Sequence, residues 1–304
     1  MQPPLSGLVA APFTPFESSG ELALATIPRL ASLLHKNGVN AAFVCGATGE
    51  GSNLTTEERI QVASAWRQAT PADLKLAVHV GHLSLGDSRT LARHAQAIGA
   101  DAIATIAPSF FKPAGAAELV AWCADIAAAA PQLPFYYYHM PAMTGVPVTA
   151  TEFLRRANGR IPTLVGVKFT HEDLVDYAAA RACENGRYHL LFGRDEILLS
   201  GLELGAPGAV GSTYNYAAPL YHRIMQAHAA GDLETARKLQ ANAQEFIGIM
   251  SRLGGLPAGK AIMKLIGVDC GPVRLPLRAL HPAEESALRA GLDACGFFEY
   301  ASRT

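Results

Sequence analysis

The sequence predicts an α/β fold, a (β/α)8 TIM barrel with additional C-terminal helices. Three observations lead there. Apolar, strand-like runs alternate with amphipathic helical stretches from residue 5 to about residue 215, which makes eight β/α units. Three junctions, Gly38-Val-Asn-Ala, Gly99-Ala-Asp-Ala and Gly205-Ala-Pro-Gly, share one form: a helix-ending glycine, a tight turn, then a strand. Beyond about residue 215 the pattern is helical only. A doubly wound open sheet is the competing architecture, but no G-x-G-x-x-G follows the first strand.

Taken in order, residues 5–10 are the first strand. Residues 27–36 are helical and stop at Gly38. Residues 42–45 form the second strand and run into a glycine-rich turn. The helix after it opens on a capping box, Thr55 at the N-cap and Glu58 three residues on, with Leu54 as its apolar staple, and ends near Pro71. Strands at 76–80 and 102–107 flank a helix at 87–98 that Gly99 stops. A helix at 118–130 precedes the fifth strand, 134–139. A second capping box, Thr149 and Glu152, opens a helix ending at Gly159. Residues 164–169, 190–193 and 209–211 are the last three strands, separated by helices at 173–183 and 195–204. Helices at 232–253, 260–266 and 283–294 complete the chain. Residues 1–215 are thus expected as the barrel core and 216–304 as a helical extension packed on it, one structural unit without a low-complexity linker.

Composition narrows the function. Hydrophobic residues make up 50% of the 304, enough for a large core, and the net charge of −1 speaks against nucleic acid and acidic membrane surfaces as partners. The five cysteines, Cys45, Cys123, Cys183, Cys270 and Cys295, are scattered, odd in number and without a C-x-x-C, as in a reducing compartment. The N-terminal run lacks a basic region and is cut by prolines, so neither a signal peptide nor a membrane span is expected, and a soluble cytoplasmic protein is.

The candidate chemistry centres on T-L-V-G-V-K-F-T, residues 163–170. It reads as a strand buried on both faces, yet it carries Lys168. An ammonium buried without a partner lowers its pKa, and a free amine attacks ketones to form imines. The competing reading has Lys168 at a strand end with its ammonium in water. Other reactive groups sit at strand ends, which in a barrel converge on one face. The turn Gly46-Ala-Thr-Gly-Glu-Gly51 offers N–H groups and the Thr48 hydroxyl to an anion. It has P-loop spacing, but Ser52 replaces the lysine, which rejects nucleotide binding. In Phe135-Tyr-Tyr-Tyr-His139, alternation puts Tyr136 and Tyr138 on one face and Tyr137 and His139 on the other, and a tyrosine beside an amine can relay protons. Asp195 and Glu196 follow strand seven, where they suit either a helix N-terminus or polyol hydroxyls, and Gly211-Ser-Thr-Tyr-Asn215 ends strand eight. His79 and His82 lie three apart on a strand and so face opposite sides; no cluster has metal-ligand spacing.

Five ordered motifs carry a resemblance over roughly residues 5–295: Gly46-Ala-Thr-Gly-Glu50, Tyr138-His-Met-Pro-Ala-Met-Thr-Gly145, Gly166-Val-Lys168, Gly193-Arg-Asp-Glu196 and Gly211-Ser-Thr-Tyr-Asn215. Together they resemble the N-acetylneuraminate lyase and dihydrodipicolinate synthase family, and within it the lyases, those of the vertebrate type in particular. The resemblance implies a homotetramer of barrels that works without metal or organic cofactor, through a covalent imine on Lys168. It implies Tyr138 as the proton-handling phenol. Thr48, with the neighbouring backbone at Gly49, would hold the pyruvate-end carboxylate, and Thr170, Gly193, Asp195, Glu196 and Ser212 would line the sugar end. The implied reaction is reversible cleavage of sialic acid to N-acetylmannosamine and pyruvate. Another pyruvate-dependent aldolase acting on a 2-keto-3-deoxy sugar acid, and a non-catalytic keto-acid or sugar-acid binder, are the alternatives.

Departures separate the relatives. The synthases carry an arginine after the tyrosine where this chain has Met143, and a tyrosine in the loop after strand four, which here is Pro108-Ser-Phe-Phe-Lys-Pro113. Both changes fit a neutral, sugar-like partner. Ala47 stands where the family usually has Ser or Thr, which removes a hydroxyl from the carboxylate end.

Overall fold

Eight parallel strands close into one barrel in chain order, each bonded to the next and β8 back to β1. The structure is a computed structural model that describes residues 5–304; residues 1–4 of the proline-cut N-terminal run lie outside the described residues. The elements are β1 (Gly7–Ala10), α1 (Ile27–Lys36), β2 (Ala41–Val44), α2 (Thr56–Ala69), β3 (Lys75–His79), α3 (Leu85–Ala97), β4 (Ala102–Ile106) and α4 (Ala116–Ala128). There follow β5 (Phe135–His139), α5 (Pro141–Thr144), α6 (Ala150–Ala157), β6 (Leu164–Phe169), α7 (Leu174–Ala182), β7 (His189–Phe192), α8 (Leu198–Glu203), β8 (Gly208–Gly211), α9 (Tyr214–Ala229), α10 (Leu233–Arg252), α11 (Leu256–Leu265) and α12 (Pro282–Ala294).

The strand alternation sorts side chains into two cores. Val9, Phe43, Ala77, Ala104, Tyr136, Tyr138, Leu191 and Val210 fill the barrel interior. Trp66, Tyr137, Phe153, Phe169 and Phe192 pack outward against the helices. Small residues are required where strands crowd. A Cβ on Gly166 would overlap the His189 carbonyl on β7, so only glycine fits two residues before Lys168.

Local signals place most element ends within two residues of expectation. Thr55 and Glu58 form a complete capping box: the Thr55 hydroxyl accepts from the Glu58 N–H at 3.1 Å, and the Glu58 carboxylate accepts from the Thr55 N–H at 2.9 Å. The box expected at Thr149 is only half made. Thr149 caps the Glu152 N–H at 3.1 Å, but no return bond from Glu152 forms. The short helix α5 was not expected, because Pro141 opens it and Gly145, at φ 61°, closes it within four residues. Helix α11 starts at Leu256 rather than 260, since Pro257 in its first turn favours helix entry after Gly254–Gly255. Helix α9 is the eighth barrel helix, so the division expected between 215 and 216 falls inside it.

The extension is tied to the barrel by buried charge. Lys260 on α11 meets Glu50 at 3.0 Å, both almost fully buried, and donates to the Pro272 carbonyl at 2.6 Å. Arg274 makes a bidentate pair with Glu58 at 2.6 and 2.8 Å. Among the described residues no helix is long and apolar enough to cross a membrane, no group of three His, Cys, Asp or Glu could hold a metal, and the five cysteines are unpaired.

Candidate active site

Strand register brings Lys168 and Tyr138 together. They are direct partners across the β5–β6 ladder, and both point into the barrel near its C-terminal end. Lys168 is only 4% exposed, which excludes an ammonium held in water. Its Nζ lies 3.9 Å from the centre of the Tyr138 ring and 4.3 Å from that of Phe43. This aromatic slot strips water from the amine. Burial lowers its pKa to about 7, while the charge of Asp195 pulls weakly the other way.

Tyr138 is likewise buried, and burial pushes its phenol above the ordinary value, opposed by the nearby Thr170 hydroxyl. The phenol donates to Met140 Sδ at 3.0 Å. His79 lies edge-on to the Tyr138 ring, 5.8 Å away, and its Nδ1 is 3.1 Å from the Cys45 carbonyl. Burial, reinforced by Arg59, holds His79 well below its usual pKa, so this ring is a neutral packing partner. His82 instead accepts from the Ser84 N–H at 2.9 Å at the start of α3. The pair is therefore structural.

A cavity of about 260 Å³ opens above Lys168. Of the sequence candidates, Tyr138, Thr48, Thr170, Gly193, Asp195, Glu196 and Ser212 line it with Lys168. Gly49 does not. Its carbonyl accepts from Thr14 at 2.6 Å and its Cα faces the Pro12 carbonyl, so it packs the turn against the loop after β1 instead of facing the cavity. Thr48 and Ala47 also border an adjoining cavity of about 530 Å³, which reaches Met143, Tyr216 and Leu256.

The acidic wall is held by several elements. Asp195 Oδ2 accepts from the Thr213 hydroxyl at 2.6 Å and its N–H at 3.1 Å. Burial raises its pKa, and these two bonds oppose the rise. A Cβ on Gly211 would overlap the Asp195 carboxylate, and one on Gly193 would overlap the Thr170 hydroxyl. Both glycines are thus set by close approach. Arg194 bridges Glu196, at 2.7 Å, and Glu172.

Among the lining groups that the sequence does not single out are Arg194 and, from α10, Ile247, Met250 and Ser251. The α10 residues sit at i, i+3 and i+4, a spacing that reads as ordinary helix core. Arg194 sat inside a quoted motif, between the glycine and the acids. The arrangement as a whole offers a partly neutral amine, a phenol beside it, and a hydroxyl- and carboxylate-lined wall. It suits imine chemistry on a small keto acid with a polar tail.

Comparison with known proteins agrees with this geometry. The profile of the Dihydrodipicolinate synthetase family matches residues 4–295. The N-acetylneuraminate lyase of Mus musculus is 46% identical over 279 residues, covering 90% of this chain and 87% of its own. The solved N-acetylneuraminate lyase (sialic acid aldolase) from Aliivibrio salmonicida superposes with a TM-score of 0.95 at 41% identity, covering 97% of this chain and 98% of that one. A catalytic lysine mutant of the Ruminococcus gnavus sialic acid aldolase superposes with a TM-score of 0.92 at 28% identity, covering 97% and 96%.

Proposed function

The chain belongs to the dihydrodipicolinate synthetase family, and from that premise we propose that it is an N-acetylneuraminate lyase, a Schiff-base aldolase that reversibly cleaves N-acetylneuraminate to N-acetylmannosamine and pyruvate. The observation that carries the reading is Lys168 itself, an amine buried between two aromatic rings with its pKa lowered to about 7, at the floor of a polar-walled cavity. Lyase-like features support it further: Met143 and the phenol-free loop 108–113 stand where the synthases place an arginine and a tyrosine for a second carboxylate.

In this reading neutral Lys168 adds to the keto carbon of the open-chain sugar acid, and water leaves to form the iminium. The Tyr138 phenol gives its proton to the departing hydroxyl as that water forms, and the phenolate left beside the iminium takes the hydroxyl proton next to the scissile bond, directly or by way of the substrate carboxylate. The carbon–carbon pair then flows into the iminium, N-acetylmannosamine departs as the aldehyde, and an enamine remains. Protonation at carbon and hydrolysis release pyruvate and regenerate the amine. Proton handling of this kind contributes about 10²–10⁴-fold. Thr48 takes the pyruvate-end carboxylate, and Thr170, Asp195, Glu196 and Ser212 take the hydroxylated tail. The imine is the electron sink, so the reaction calls for no metal or organic cofactor.

We extend the reading to a homotetramer in the cytoplasm. Large apolar side chains on one exposed loop, Phe110 and Phe111, support self-association, and five unpaired cysteines support a reducing compartment. Light scattering on the purified protein tests the assembly. The function is tested by pyruvate release from N-acetylneuraminate, with Lys168→Ala alongside. Release by the wild type and none by the variant is expected. No release by the wild type, with a pyruvate adduct still trapped on Lys168 by borohydride, would replace the sugar; no adduct would overturn the aldolase reading.

A further inference from the structure

Two glutamines on α10, Gln240 and Gln244, stand one helical turn apart and reach consecutive backbone carbonyls of the acid pair. Gln240 Nε2 donates to the Asp195 carbonyl at 3.1 Å, and Gln244 Nε2 donates to the Glu196 carbonyl at 2.9 Å. The buried Gln240 does more: its Oε1 accepts from the Leu199 N–H at 2.9 Å, a first-turn donor of α8 that has no partner within its own helix. The carboxylates are held by other groups, Asp195 by Thr213 and Glu196 by Arg194. Each acid is therefore gripped at its backbone by α10 and at its side chain by a loop.

The same helix carries Ile247, Met250 and Ser251 into the cavity wall. The spacing between the acids and this part of the wall is thus set by one rigid rod. We propose that Gln240 and Gln244 are positioning residues for the sugar end of the site: they fix the Asp195–Glu196 backbone against the lining face of α10 and so set the acids where a polyol tail meets them. The inference rests on the lyase reading. It places the specificity of the distal end partly in a helix outside the eight β/α units, and the glutamines' bonds go to the acid pair and α8, none of them to Lys168, Tyr138 or Thr48.

The two-substrate direction of the reaction separates positioning from general stability. Condensation of pyruvate with N-acetylmannosamine is measured for wild type, Gln244→Met, Gln240→Met and the pair. Methionine keeps length and helix propensity but cannot donate. Loss of one such bond should raise KM for N-acetylmannosamine about threefold to tenfold, and loss of both should raise it further. KM for pyruvate should stay within about twofold. Gln244→Lys, which retains a donor, should lie close to wild type. Asn242→Ala serves as a control, because it removes a bond from the same helix to the Tyr300 hydroxyl, at 3.2 Å, away from the site. Should Gln240→Met fail to fold, the solvent-exposed Gln244→Met carries the test. Equal rises in both KM values, or no rise in the amino-sugar KM, would overturn the clamp while leaving the lyase reading intact. A wild type without turnover would overturn the lyase reading, and the clamp with it.

Discussion

Asp195→Asn should shift the pH dependence of imine formation towards acid. Lys168 falls from 10.5 to about 7, so at pH 7 about half of it is free amine, against about one part in 3,000 for an ordinary lysine. Burial drives this fall, and the Asp195 charge opposes it by favouring the ammonium. At an effective dielectric of about 20, one opposite charge on the wall of the same cavity is worth about one pKa unit. Salt and a wet cavity cut that to about half a unit to one unit. Asparagine keeps an oxygen to accept the Thr213 bonds, so the loop stays in place. The assay is cyanoborohydride trapping of pyruvate, read as the trapped mass fraction against pH, because it does not use the sugar end where Asp195 also acts. The wild-type acid limb should have its midpoint near 7, and the variant's should lie about half to one unit lower. An upward shift would refute the electrostatic reasoning, and a wild-type midpoint near 10 would refute burial of the amine.

Other perturbations test other parts of the structure. Lys168→Met should stabilise the fold near neutral pH. The folded-state pKa lies below the unfolded one, so the unfolded chain binds the proton more strongly and wild-type stability rises as pH climbs from about 7 to about 10.5. The variant's advantage should therefore be greatest at or below pH 7, roughly 5 kcal/mol as an upper bound, and shrink by pH 9; an advantage that grew with pH would contradict the sign. Lys260→Met leaves the buried Glu50 carboxylate without its cation, and chemical denaturation should show a loss of about 3–5 kcal/mol. Ala47→Ser restores a hydroxyl at the border of both cavities, so KM for pyruvate should stay level or fall by up to about tenfold; a large loss of rate would mean the turn is rebuilt around Ala47.

What was legible from residues alone follows the range of the forces involved. Caps, helix-ending glycines and strand alternation act over a few residues, so the Thr55–Glu58 box, the eight strands and the split of Tyr136 and Tyr138 from Tyr137 and His139 could be read directly. Lys168 stood out because its charge contradicts its apolar surroundings. The half-made box at Thr149 shows the limit even of a local motif, since the Glu152 carboxylate makes no return bond.

Gly49 and α10 show where tertiary structure takes over. The family resemblance put Gly49 beside Thr48 as a candidate, but the approach of Pro12 and Thr14, 35 residues away in the case of Thr14, turned it from the cavity into the packing. Nothing local marks Ile247, Met250, Ser251, Gln240 or Gln244, and they gain their roles only where the extension lies against the barrel. The sequence by itself determined the barrel, its order of strands and the chemical oddity of one lysine, because local periodicity and burial preference encode these. Only the tertiary structure decided which helix walls the site and what holds the two acids, because those contacts join residues about 40 to 50 apart and depend on how α10 packs, which no local pattern records.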